Sequence, residues 1–353
     1  MPDDPTPRDT AELVGHAAAE AGLLKAWESG RLAHAWLITG PPGIGKATLA
    51  YRFARFVLAG GAGEAALFGA MPASSLALAS DHPVFRQVAA SGHPDLLTIE
   101  RLVDEKSGKL KTSISVEQVR KVSDFLHLTA GAGGWRVVIV DPADDLNPNA
   151  ANAMLKILEE PSRRALLLLV CNAPGSLLPT IRSRCRRLDL TPLGEAEIDA
   201  LLARLRPDLE AAARRPLARL AEGSIGRALG LADEDGLDLY RGMVKLIGGL
   251  PAAIESAHAL SDRLARANAQ PAYDSFCSLY GWWLARAARA AAAEQGIEEI
   301  VEGEAKAAQH LVERIGLERL VEVWEKTSQL FAQADGLNLD RKQVILNAFL
   351  ALS

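Results

Sequence analysis

Several things are scarce in this chain. Its 353 residues hold only three cysteines, Cys171, Cys185 and Cys277, too few and too scattered for a disulfide framework. No C-x-x-C pair is present, so a structural zinc site has no ligand set. No apolar run approaches the ~20 residues that a membrane span needs, and the opening MPDDPTPRDT has no apolar signal core. Excess positive charge is missing too: 39 Lys and Arg stand against 44 Asp and Glu, a formal charge of −5, which argues against a globally basic nucleic-acid coat but leaves a local basic face open. The expectation is a soluble protein of a reducing, cytoplasmic compartment, with no membrane partner.

What is present is apolar: 49% of the residues are hydrophobic, enough to exclude disorder, and the length suggests two or three compact domains. Short apolar runs read as buried strands at Ala35–Ile38, Leu96–Ile99, Val137–Val140, Leu166–Val170 and Arg187–Leu190. Helical patterns separate them, notably Val116–Leu126 and Ala150–Glu160. For the latter, Asn147-Pro148 is a start signal and Pro161 a stop. Alternation of this kind predicts a parallel sheet covered on both faces. The Gly/Ala/Ser-rich stretch 59–80 reads as an insertion. After Pro192 no strand pattern remains, and Leu237–Leu352 is helical throughout, with Trp282, Trp283, Trp324, Phe331, Ile345 and Phe349 as its bulky core. The fold class expected is α/β over 1–191, a small helical domain over 192–235 and an all-helical one over 236–353.

Gly40-Pro41-Pro42-Gly43-Ile44-Gly45-Lys46 lies directly between a strand and a helix. In that setting Gly40, Gly43 and Gly45 let backbone N–H groups curl round an anion, and Lys46 reaches the β/γ-phosphates. The following position normally supplies a metal-binding hydroxyl, but here it is Ala47. Thr48 points about 100° away round the helix. At the end of the third strand Asp141 stands where a carboxylate holds Mg²⁺ through water, or else serves as a turn or capping residue. Pro142 follows it where hydrolytic sites carry a base. The pattern is a phosphate loop without its metal chemistry, and no protein metal site is expected.

Five stretches go further: Arg31–Ala35, Gly92–Leu96, the run AANAMLKILEEP from Ala150 to Pro161, Leu178–Cys185 with its Ser183-Arg184-Cys185, and Leu339–Gln343. Together they resemble the bacterial clamp-loader subunits of the AAA+ superfamily, most closely the delta-prime-type subunits of the DNA polymerase III loader, over residues about 12–230. The resemblance implies a P-loop AAA+ domain (1–191), a helical lid (192–235) and a C-terminal collar (236–353) for oligomerisation. It implies that Arg184 is an arginine finger offered in trans, that the chain has no catalytic residue in cis, and that Asn172 occupies a polar sensor position. It also implies a hetero-oligomer with gamma/tau-like motor subunits and a delta-like subunit, acting on the sliding clamp and primed DNA in DNA replication.

Three departures from the motor pattern, Ala47, Pro142 and Gly226 in place of a lid arginine, point to an ATPase-silent subunit. Such a subunit requires no cofactor, its nucleotide binding is in question, and the zinc module of many relatives is expected to be absent. Arg227, one position late, reads as a surface residue, and Cys185 as a small buried one. The alternative is a gamma/tau-like motor that hydrolyses ATP itself, supported by Lys46 and Asp141. A helical DNA-binding protein is disfavoured by the charge, although Arg182, Arg184, Arg186 and Arg187 could face phosphate.

Overall fold

The computed structural model describes residues 6–61, 75–104, 108, 110–127, 134–337 and 339–353. Most of the stretch 59–80, including the expected replacement for a zinc module, lies outside them. The chain divides into two compact units, residues 1–197 and 198–353.

The first unit is an α/β layer structure. Strands β1 (Ala35–Thr39), β2 (Leu96–Ile99), β3 (Arg136–Val140), β4 (Ala165–Cys171) and β5 (Arg186–Asp189) form one parallel sheet in the order β2-β3-β4-β1-β5. Every residue of β1, β3 and β4 is buried, which is why the central strands read as uninterrupted apolar runs. Their side chains alternate between two cores. Trp36, Ile38, Val137, Ile139, Leu166 and Leu168 face α1 (Ala17–Glu28) and α2 (Lys46–Leu58). Leu37, Val138, Val140, Leu167 and Leu169 face α4 (Val116–His127), α5 (Pro148–Glu159) and α6 (Pro179–Arg184). A short α3 (Pro83–Ala89) precedes β2. The edge strand β5 is shielded from further pairing by its charge, with Arg186, Arg187 and Asp189 exposed.

Local signals set the boundaries. The Asn147 side chain accepts from the Ala150 amide at 2.8 Å, capping α5, and Pro148 fills its first turn. Gly92-His93-Pro94-Asp95 is a structural turn: His93 Nδ1 accepts from the Asp95 amide at 3.1 Å. Asp95 is buried beside Arg136 at 3.7 Å, and its carbonyl takes the Val137 amide at 2.9 Å, fixing β2 against β3.

The second unit is helical, from the body of α7 (Glu195–Leu205) through α8 (Ala211–Leu220), α9 (Ile225–Asp233), α10 (Gly236–Gly249), α11 (Ile254–Leu264), α12 (Gln270–Ala292), α13 (Glu304–Ile315), α14 (Leu317–Gly336) and α15 (Arg341–Leu350). Phe276, Tyr280, Phe331 and Phe349 form a ring cluster with centroids 5.5–6.4 Å apart, and Trp283 and Ile345 are buried. Trp324 departs from expectation. It is 36% exposed, because α14 turns Leu320, Val323 and Thr327 inward and leaves the neighbouring position outside. Arg227 is also not a simple surface residue: its side chain is half-buried and donates to Glu222 at 2.8 Å. Among the described residues no helix is long and apolar enough to cross a membrane.

Candidate functional site

Parallel sheets gather ligand sites at the carboxyl ends of their strands, beside the point where strand order reverses. Here β1 lies between β4 and β5. The 40–46 loop leaves β1 at that edge, Asp141 follows β3, and Asn172 follows β4.

The loop depends on its glycines. Gly40, Gly43 and Gly45 have φ of +148°, +74° and +104°, a region that side chains disfavour. A Cβ on Gly40 would stand 2.6 Å from the Leu190 carbonyl oxygen, so no larger residue fits where β1 passes the end of β5.

Lys46 is buried at 4% exposure, and its Nζ donates to the Gly40 carbonyl at 2.7 Å and to that of Pro41. Burial holds the ammonium below its ordinary range, offset by the carboxylates of Asp141 and Asp144. Burial first, then the nearby Glu100, raises Asp141 to about 6, while Lys46 pulls the other way. Asp144 is committed elsewhere, accepting the amides of Asn172 at 2.9 Å and Ala173 at 3.2 Å, which ties the end of β4 to the turn after β3. Asp145 pairs with Arg101 at 3.0 Å.

A strap from the N-terminal segment covers the loop. His16, 5% exposed, has its Nε2 2.6 Å from the Ile44 carbonyl oxygen, and a Cβ on Gly45 would meet Leu13 at 3.3 Å. The helix after the loop holds the strap down. Arg55 donates to the carbonyls of Arg8 at 2.8 Å and Thr10 at 2.7 Å and stacks 4.3 Å over Phe85; Arg52 bonds the Ala11 carbonyl and Glu20. Sequence reasoning did not single out His16, Arg52 or Arg55. The available signal was two arginines, three apart, in a helix whose neighbours Leu49, Phe53 and Phe56 are wholly buried.

The cradle has the backbone form for a phosphate but lacks one ligand that a magnesium nucleotide uses in the full motif. Ala47 offers a methyl where a hydroxyl ligand is needed, and the lysine is engaged by the loop's own carbonyls. Among the described residues no group of three or more His, Cys, Asp or Glu side chains could hold a metal ion.

Arg184 ends α6, away from that loop in sequence and chemistry. Its Nη2 lies 2.7 Å from Glu159 Oε1 on α5, Nη1 donates to the Thr180 carbonyl at 3.1 Å, and the side chain is 35% exposed. The neighbouring arginines do not share one surface role. Arg187 pairs with Asp189 at 2.6 Å, Arg186 stacks 4.9 Å from the Trp36 ring centroid, and Arg182 is exposed. Cys185 is buried. Burial pushes its thiol up to about 12, as it does that of Cys171, so neither is a nucleophile.

A model of the family described as DNA polymerase III, delta subunit, matches residues 15–194, just over half of the chain. The DNA polymerase III subunit delta′ of Pseudomonas aeruginosa is 41% identical over 192 residues, 54% of this chain and 53% of that protein. That of Escherichia coli K12 is 34% identical over 213 residues, 60% of this chain and 58% of that protein. The DNA polymerase III subunit tau of E. coli K12 is 30% identical over 233 residues, 65% of this chain but 33% of that protein. The chain thus spans little more than half the length of the delta′ relatives. On the family match and these identities, the chain belongs to the DNA polymerase III delta-subunit family, on its delta-prime side.

Proposed function

We propose that this chain is a delta-prime-type subunit of a DNA polymerase III clamp loader, silent in ATP hydrolysis and offering Arg184 to a neighbouring subunit's nucleotide. The observation that carries the reading is the phosphate loop: Lys46 is buried and bonded to the Gly40 and Pro41 carbonyls, and Ala47 follows it. Pro142 supplies no base after Asp141. A chain with this loop requires no cofactor of its own.

Arg184 has the chemistry for work in trans. A guanidinium keeps its charge and binds phosphate oxygens in a planar fork, so it stabilises charge developing on a transferred phosphoryl group. Its half-exposed pair with Glu159 is a weak hold, of a kind usually contributing ~0–1 kcal/mol. A neighbour's γ-phosphate, more highly charged, competes well for it. In this reading the partners are gamma/tau-like motor subunits and a delta-like subunit, the helical second unit forms part of a collar, and the ring loads a sliding clamp onto primed DNA.

The alternative of a motor ATPase in its own right draws on the tau relative and on the opposite charges of Lys46 and Asp141. One experiment separates the two. The purified chain should show no Mg²⁺-dependent ATP turnover above background, and adding it to motor subunits should raise their DNA- and clamp-stimulated turnover. Steady turnover by the chain alone, abolished by Lys46→Ala, would overturn the silent reading.

A further inference from the structure

A cleft of about 1130 Å³ opens in the second unit between α10, α11 and the start of α13. Its charge is opposite to that of the chain. Arg241 and Lys245, one turn apart on α10, Arg263 on α11 and Lys306 on α13 line it, against one carboxylate among the described lining residues, that of Glu302. All four cations are exposed. Arg241 leans on Asp238 at 2.9 Å, while the side chains of Lys245, Arg263 and Lys306 make no ion pair or hydrogen bond among the described residues.

Beneath the cations the floor is small and apolar, made of Val244, Leu246, Ala253, Leu260 and Ala307. It is also firmly built. A Cβ on Gly248 would stand 3.1 Å from that of Ala307, so α10 and α13 meet at near-minimal distance. The loop forming the far wall is held by Glu304, wholly buried, which accepts the Ile300 amide at 2.8 Å and the Tyr240 hydroxyl at 2.6 Å.

We propose that this cleft is a docking site for a partner protein's amphipathic helix that carries small apolar residues on one face and Asp or Glu along its flanks. Charge complementarity selects the acidic flanks, and the apolar floor requires an apolar stripe to cover it. The size agrees: a helix ~10 Å across, rising ~1.5 Å per residue, fills such a volume with roughly ten residues, about three turns. A single-stranded nucleic acid fits less well, because among the described residues no Trp, Tyr or Phe lines the cleft to stack a base. None of these residues takes part in the Arg184 chemistry, so the proposal stands or falls separately from the silent-subunit reading.

The test uses the full chain and a fluorescein-labelled 16-residue helical peptide with Leu and Ala on one face and Glu on both flanks. Controls are the same peptide with Lys for Glu and a 16-nucleotide single strand. Anisotropy should show saturable binding of the Glu peptide, at least tenfold weaker binding of the Lys peptide, and weakening in high salt. The triple variant Lys245→Glu, Arg263→Glu, Lys306→Glu should lose at least tenfold in affinity. So should Ala259→Trp, which fills the cleft without changing charge. If the triple variant misfolds, the neutral Lys245→Gln, Arg263→Gln, Lys306→Gln chain takes its place. No saturable binding of the Glu peptide, equal binding by the folded variants, equal binding of the Lys peptide, or displacement by the oligonucleotide at the same residues would each overturn the proposal.

Discussion

Glu159 at the end of α5 holds Arg184 at the end of α6, their charged atoms 2.7 Å apart. Both belong to stretches that carry the family resemblance, so the two segments meet in one ion pair. Substituting either residue should separate its local role from its role in an assembly. Glu159→Gln should leave stability within about 1 kcal/mol in a denaturant titration, since the pair is half-exposed. In a reconstituted loader it should leave the stimulated ATPase intact or raise it. Arg184→Ala should also fold normally but remove the contribution this chain makes, a factor on the order of 10³ at the interface served. Arg184→Lys should not restore it, because an ammonium lacks the planar fork.

Burial of Asp141 predicts an inverse pH effect on stability. Its carboxyl is raised to about 6 from an ordinary 3.8, so between those values the folded chain binds the extra proton. Stability from this group therefore falls as pH climbs through that window, and the full cost is present above it. Asp141→Asn should stabilise the first unit at pH 7.5 by ~1–3 kcal/mol and flatten the slope between pH 4 and 6. Urea melts at a series of pH values check it; a destabilised Asn variant at pH 7.5 would contradict the assignment.

These two predictions rest on different degrees of sequence legibility. The central strands could be read directly, because strands covered on both faces need apolar residues at every position. The Asn147-Pro148 cap and the glycines of the loop could be read for the same local reason. What lies at that edge could not. Asp144 reaches the Asn172 amide across 28 positions, and Arg55 reaches the Arg8 carbonyl across 47. Neither link has a local pattern. Trp324 fails differently: a large aromatic in an amphipathic helix suggests core, but one residue of phase puts it outside.

The second unit should depend heavily on Glu304. Its buried carboxylate takes bonds from Tyr240, Arg286 and the amides of Ile300 and Val301. Glu304→Ala strands the Arg286 charge and two backbone donors, and should lower the unfolding free energy of this unit by ~3–5 kcal/mol. Tyr240→Phe, which removes one bond to a charged acceptor, should cost ~1.5–3 kcal/mol. Guanidinium titrations followed by tryptophan fluorescence read both, since Trp282 lies 6.2 Å from the Tyr240 ring.

Restoring the missing hydroxyl should not by itself restore an enzyme. Ala47→Thr supplies a Mg²⁺ ligand at the start of α2, and a fluorescent ATP analogue should then bind more tightly with Mg²⁺ than without it. Turnover should stay at background, because Pro142 still offers no group to activate water. Measured hydrolysis in the single variant would show that the loop alone was limiting.

With its lysine closed on the Gly40 and Pro41 carbonyls and His16 on that of Ile44, the phosphate loop is its own ligand. Proteins that leave such a loop open gain stability from whatever nucleotide is at hand, in proportion to the logarithm of its concentration. On the reading proposed above, in which the chain needs no nucleotide, this loop draws none of its stability from one. In that reading the order of this sheet edge comes from the chain's own bonds, whatever the cell's energy charge.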